Sequence, residues 1–139
     1  VPQSAAVVEA ALQTALYTRL AAASLGVAGV YDVAPQADDG GDAAAFPYVV
    51  MGRAITSGMD TKSTPGFSVL IRIHTFSRAG RTLECKTIQG ALYTALHRQS
   101  LAVSGHSNFV LARESSDCWP DADGKVHGVC EYRALIESA

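Results

Sequence analysis

The chain has little with which to do chemistry or to cross a membrane. No apolar run in its 139 residues comes near the roughly 20 that a spanning helix needs. The opening V-P-Q-S-A-A-V-V-E-A has neither a basic start nor a continuous apolar stretch, so no signal peptide is expected. Charge of one sign is lacking too. Eleven Lys and Arg against 13 Asp and Glu leave a formal charge of −2, which gives no overall basic field for holding nucleic acid. Cysteine is scarce: Cys85, Cys118 and Cys130 are an odd number with no close pairing. That argues against a disulfide framework and fits a reducing cytoplasm, with Cys85 and Cys130 read as small packing residues.

The motifs that carry chemistry are missing as well. G-H-S-N-F at 105–109 lacks the second glycine of a nucleophile elbow, because Phe109 stands in its place. His74, His97, His106 and His127 are scattered over different elements, with no pair at metal-ligand spacing on one helix. The glycine-rich stretch near residue 40 is no phosphate or dinucleotide loop. Its acids, Asp38, Asp39 and Asp42, do not have the spacing of a calcium hand. D-A-D-G at 121–124 reads as a turn, Asp and Gly supplying local hydrogen bonds and positive φ. No catalytic, cofactor-binding or metal-binding residue is assigned, and no cofactor is expected.

What is present is periodicity. The length suits one domain over 1–139 with a real core. Residues 5–25 read as a helix with Ser4 as N-cap, Val8, Leu12, Leu16 and Leu20 as a stripe, and Gly26 and Gly29 ending it. V-Y-D-V-A-P at 30–35 reads as an extended exit and 36–45 as a mobile surface loop. Residues 46–55 read as a strand whose start Pro47 keeps at an edge or lead-in. A polar turn at 60–66 joins it to a strand at 67–77. A second helix is expected over 82–99, with Leu83, Thr87, Ile88, Ala91, Leu92, Ala95 and Leu96 on one face. Gly90 there costs about 1 kcal/mol relative to alanine and suggests close packing. Beyond 101, N-F-V-L-A-R-E and V-H-G-V-C-E-Y-R-A-L-I-E flank P-D-A-D-G-K as a hairpin, with Val126, Cys130, Tyr132, Ala134 and Ile136 on one face. Trp119 is read as a core plug in preference to an exposed contact anchor. The order α-β-β-α-β-β predicts an α+β fold: an antiparallel four-stranded sheet with two helices packed on one face.

The 67–77 strand is the most informative segment. Its odd positions, Phe67, Val69, Ile71 and Ile73, form an apolar face suited to lie on the helices. Its even positions are Leu70, Arg72, His74 and Phe76, more apolar than a solvated face would be. Two readings stay open for them. They form a protein contact surface, or a loop of the same chain covers them.

An ordered set of segments then resembles a known family. L-Q-T-A-L-Y-T-R-L at 12–20, V-Y-D-V-A-P at 30–35 and F-P-Y-V-V-M-G at 46–52 come in sequence. They are followed by D-T-K-S-T-P-G at 60–66, the strand ending F-S-R-A-G-R, and A-L-Y-T-A-L-H at 91–97. Together these resemble the tail-completion (tail-terminator) proteins of long-tailed bacteriophages, prophages and gene transfer agents. Many relatives have tryptophan where this chain has Phe76 and Met59, a change conservative in bulk. The resemblance implies a structural subunit, not an enzyme. Such subunits form a ring, usually a hexamer, that caps the head-proximal end of the tail tube and joins it to the head connector. The implied partners are further copies of the chain, the tail tube protein and the head-closure or connector protein. DNA is implied only as cargo passing through the lumen, and no membrane is involved. The implied location is the tail-neck region of a virion or phage-like particle assembled in the bacterial cytoplasm.

Closed rings use heterologous contacts, one patch meeting a different patch on the neighbour. Leu70, Arg72, His74 and Phe76, with Asp60 and Lys62 in the turn, are the candidate ring contacts. Asp38, Asp39 and Asp42 are candidates for a loop reaching a neighbouring ring or lining the channel. The competing readings are another neck ring of head-closure type, and a small ligand-binding or enzymatic α+β domain. The last would need a pocket with convergent polar groups.

Overall fold

The computed structural model describes residues 5–33, 45–59, 66–79, 81–121 and 124–138. Ser4, the expected cap, lies outside them. Helix α1 (Ala5–Ala22) buries Val8, Leu12, Leu16 and Leu20, as the four-residue repeat predicts. Gly26 takes a φ of +74°, a conformation that glycine adopts without steric cost, and the chain turns there into strand β1 (Gly29–Tyr31). Strands β2 (Tyr48–Gly58) and β3 (Gly66–Ser77) follow, then helix α2 (Leu83–Leu96), β4 (His106–Pro120) and β5 (Val126–Ser138).

The strands form one five-stranded mixed sheet in the order β1-β2-β3-β5-β4. This corrects the expected antiparallel four-stranded sheet, although the α+β class holds. The missed element is β1, which pairs parallel with β2 from Gly29↔Tyr48 to Tyr31↔Val50. Three residues are too few to show a period of two, so the segment looked like a simple exit from the helix. The two expected hairpins are present. Between β2 and β3 the Met59 N–H donates to the Gly66 carbonyl at 2.7 Å. Between β4 and β5 the Asp121 N–H donates to the Lys125 carbonyl at 2.7 Å, and Gly124 supplies a φ of +73°.

The core lies between the sheet and both helices. Phe67, Val69, Ile71 and Ile73 of β3 join the α1 stripe, Ile88, Leu92 and Leu96 of α2, and Cys130, Tyr132, Ala134 and Ile136 of β5 in one cluster. Fully burying each large aliphatic side chain contributes about 1.5–3 kcal/mol.

Helix α2 is rotated relative to the expected face. Leu83 is 65% exposed and Thr87 is exposed, whereas Cys85 and Gln89 are buried. Gln89 donates from Nε2 to the Asp117 carbonyl at 2.9 Å, which fixes that rotation. Gly90 is exposed, and a Cβ built on it meets nothing within 4 Å, so close packing does not explain it. The glycine that does permit close approach is Gly128 of β5, where a Cβ would meet Cys85 Sγ and, at 2.7 Å, Gln89 Nε2.

The chain leaving α2 turns through Arg98, whose φ is +56°, and runs beside β4. The Arg98 N–H donates to the Leu111 carbonyl at 2.7 Å, and the Arg113 N–H donates to His97 Nδ1 at 3.0 Å. With the Gln89 bond to Asp117, these contacts engage the outer edge of β4 at Leu111, Arg113 and Asp117. They are a common protection against unwanted strand pairing.

Candidate functional site

Helices and apolar core take one face of the sheet; the even positions of β3 lie on the other. Register partners in a sheet share a face, so the neighbours of Leu70, Arg72, His74 and Phe76 can be read across the strands. Tyr48, Phe76, His127 and Trp119 stand opposite one another in turn. Their rings touch in series. Tyr48 lies 5.0 Å from Phe76, Phe76 4.5 Å from His127, and His127 4.6 Å from Trp119. Tyr31 extends the series at 5.9 Å from Tyr48, so every strand contributes one ring. Phe46 packs on Tyr48 at 5.0 Å and carries the Arg78 guanidinium 4.8 Å above its ring. Contacts of this kind add about 0.5–1.5 kcal/mol per aromatic pair beyond area burial.

Next to this row is a histidine pair. His74 Nδ1 and His127 Nε2 are 2.9 Å apart, so one ring donates and the other accepts. Burial holds the His74 pKa below the usual imidazole value, helped by the charges of His127 and Arg72. Burial also lowers His127, with Asp121 acting in the opposite sense. Gly52 makes room for the His74 ring, since a Cβ there would stand 2.7 Å from its Nε2.

One step further along, Arg72 Nε donates to Glu131 Oε2 at 3.1 Å and the Ser115 hydroxyl donates to Glu131 Oε1 at 2.9 Å. The Arg72 bond is the first cause holding the Glu131 carboxyl below its ordinary range, and the Ser115 bond is the second. Beyond it Leu70 faces Ile55 on one side and Arg133 on the other. Arg133 donates to Glu114 at 2.8 Å and to Ser68 at 2.8 Å.

These ions are thus matched within the subunit, while apolar groups on the same face are left open. Ile55 is 41% exposed, Val110 49% and Trp119 36%. A shallow groove of about 640 Å³ runs between Arg72, His74, Asp117, Trp119, His127 and Glu131. Its Ser115 hydroxyl serves a carboxylate and not an imidazole, so it lacks the serine–base pairing of nucleophilic catalysis. A second groove, of about 830 Å³, lies between α1 and residues 100–105. Its one guanidinium, Arg19, is held by the Ala95 carbonyl at 3.0 Å and Gln99 Oε1 at 3.3 Å. Among the described residues, no three His, Cys, Asp or Glu side chains are grouped to hold a metal ion, and no helix is long and apolar enough to cross a membrane.

Arg72, His74 and Phe76 therefore fall in one constellation, with Leu70 further along the same face. Asp60, Lys62, Asp38, Asp39 and Asp42 lie outside the described residues. Sequence reasoning missed Tyr31, Tyr48 and His127, and of its two readings for Trp119 it preferred the core plug, whereas the side chain is exposed. The signal that would have found them is strand order: once β5 lies between β3 and β4, His127 must meet Phe76 and Trp119.

A family model described as "Tail completion protein gp17" matches residues 10–137. A chain from a structure described as "Virion of native gene transfer agent (GTA) particle" has the same fold. The TM-score is 0.82 at 23% identity, covering 94% of this chain and 98% of that one. No curated protein matches the chain.

Proposed function

The chain belongs to the tail completion protein gp17 family, and from this we propose that it is a structural, non-catalytic subunit of a phage-like particle. It forms a closed ring, hexameric in this reading, at the head-proximal end of a tail tube. The ring ends tube growth and joins the tail to the head connector. Its partners are further copies of itself, the tail tube protein and the head-closure or connector protein, and DNA passes through its lumen as cargo. The observation that carries this reading is the family match, which spans nearly the whole described chain.

The geometry supports one way of building the ring. A neighbour needs a surface to meet, and the outer edge of β4 is already engaged at Leu111, Arg113 and Asp117 by α2 and the segment after it. The helix-free face remains, with Leu70, Arg72, His74 and Phe76 at its centre and Ile55, Val110 and Trp119 exposed on it. An apolar patch surrounded by matched ions is the composition of a protein contact. We assign this face to one half of a heterologous ring contact. The turn carrying Asp60 and Lys62 is assigned to the same ring contact, and the loop with Asp38, Asp39 and Asp42 to a neighbouring ring or the lumen. An acidic loop in that position would let DNA pass without gripping it.

Negative-stain imaging of the protein mixed with purified tail tubes tests the reading, together with its mass in solution. Six-fold rings, or caps on one end of each tube, are expected. A persistent monomer that leaves tube ends bare would overturn it, and rings that bind connectors but never tubes would place the subunit elsewhere in the neck.

A further inference from the structure

We propose that Cys85 and Cys118 are a reversible redox pair that closes into a disulfide between helix α2 and the edge strand β4. Nothing in the sequence hints at it, because the two residues are 33 positions apart and the cysteine count is odd. Folding brings them together. The Cys118 thiol donates to Cys85 Sγ at 3.0 Å and lies 3.0 Å from Gln89 Oε1. The two sulfurs are therefore within about 1 Å of disulfide bonding distance.

The surroundings are built around this contact. Gly128 lies directly beneath the pair, and any side chain there would strike Cys85 Sγ. Gln89 holds β4 against α2 through the Asp117 carbonyl, one residue before Cys118. Access is one-sided. Cys85 is fully buried, whereas Cys118 is partly exposed and lines an open groove of about 400 Å³ with Lys86, Gln89 and Arg113. Cys118 is thus the sulfur that a small oxidant reaches first. Burial, and then the hydrogen bond from Cys118, push the Cys85 thiol up, which leaves the first attack to Cys118.

The oxidant is a low-molecular-weight disulfide, RSSR. The Cys118 thiolate attacks one of its sulfurs, forming a Cys118–SR mixed disulfide and expelling RS⁻. The Cys85 thiolate then attacks the Cys118 sulfur and expels the second RS⁻. The two thiol protons end on the two RS⁻ groups, so two RSH leave and the protein loses two hydrogens. Cys130 is buried too, but it stands opposite Ser116 in the register and not opposite Cys118, and it stays reduced. The timing of closure rests on the particle reading above: open during assembly in a reducing cytoplasm, closed after release. The chemistry does not rest on it and is tested on the isolated chain.

Purified protein is incubated with glutathione disulfide, and its free thiols are alkylated. Intact mass should show loss of two hydrogens and one remaining alkylatable thiol, and peptide mapping should place the bond at Cys85–Cys118. The loop it closes is long enough that the melting temperature should rise by on the order of 10 °C and return on adding dithiothreitol. Cys118→Ser should melt at the reduced protein's temperature and form no internal bond. Three fully alkylatable thiols, a mixed disulfide at Cys118 that persists, a bond to Cys130, or an oxidised form that melts no higher would each overturn the proposal.

Discussion

Replacing Leu70 with Asp should abolish assembly and leave the subunit folded. Leu70 is half-buried on the helix-free face, with Ile55 and Arg133 as its cross-strand partners. In the isolated subunit an aspartate there would face the Arg133 guanidinium and remain reachable by water, so the cost to folding should stay at about 1–2 kcal/mol, from the half-burial lost and the weaker strand propensity. In the ring the arithmetic differs. Leucine stands to gain about 1 kcal/mol from completing a burial that the subunit has half achieved. A carboxylate forced under a neighbour costs about 2 kcal/mol more, because part of its hydration is lost without a new partner. The combined loss of about 3 kcal/mol weakens each contact roughly 150-fold. It recurs at every contact of a closed ring. Light scattering behind size exclusion, with thermal melting on the same samples, reads both quantities. Wild-type-like rings from the Leu70→Asp variant, its mass verified, would remove this face from the contact. A variant that no longer melts cooperatively would place Leu70 in the subunit's own stability instead.

Gly90→Ala should stabilise the protein by about 1 kcal/mol, since Gly90 is exposed in the middle of α2 and a new Cβ meets nothing within 4 Å. A rise in melting temperature of roughly 3–5 °C is expected, and no rise would show a hidden contact at that position. Gly128→Ala should destabilise by about 1–3 kcal/mol, because its Cβ would push on Cys85 and Gln89 together, and an unchanged denaturant midpoint would refute that packing. Stability should also fall with acid. His74 and His127 have folded pKa values depressed by burial, so in the unfolded chain they take up protons at higher pH than in the folded one. Their contribution is complete above the unfolded value of about 6.5 and is lost as pH falls through the folded values. Melting scans from pH 8 to pH 5 should show this slope, and His74→Gln should flatten it; an equal slope in the variant would trace it to other groups.

Much of the fold was legible because burial leaves periodic marks. The α1 stripe of Val8, Leu12, Leu16 and Leu20 and the odd positions of β3 are read from spacing alone, and both are buried as expected. The hairpin around Gly124 was legible because a positive φ demands a small set of residues. Legibility failed where tertiary contacts decide. β1 is three residues that become a strand through their parallel pairing with β2. The rotation of α2 is set by Gln89 and Cys85, a polar and a small residue that a hydrophobic pattern passes over. Gly90 and Gly128 are the same residue type with opposite surroundings, and only a built Cβ tells them apart.

The same limit explains which half of the candidate surface could be read. Leu70, Arg72, His74 and Phe76 were found because alternation within one strand sorts a face without knowledge of its neighbours. The groups that make that face a continuous surface come from other strands. Tyr48 precedes Phe76 by 28 positions and His127 follows it by 51, and their rings stack on it because β2 and β5 are its neighbours. Trp119 shows the consequence most sharply. Taken alone, a lone tryptophan beside a cysteine and a proline is reasonably sent to the core, because large aromatics are buried on average. Yet its strand pairs with β5 in a register that sets it against His127, on the face the helices do not cover. Strand order therefore decides between plug and anchor in favour of the anchor, 36% exposed, at one end of a row that crosses the whole sheet. Aromatic anchors are the side chains most often found at the energetic centre of protein contacts. If the ring contact lies on this face, Trp119 should matter to assembly as much as Leu70, although no pattern in the sequence singles it out.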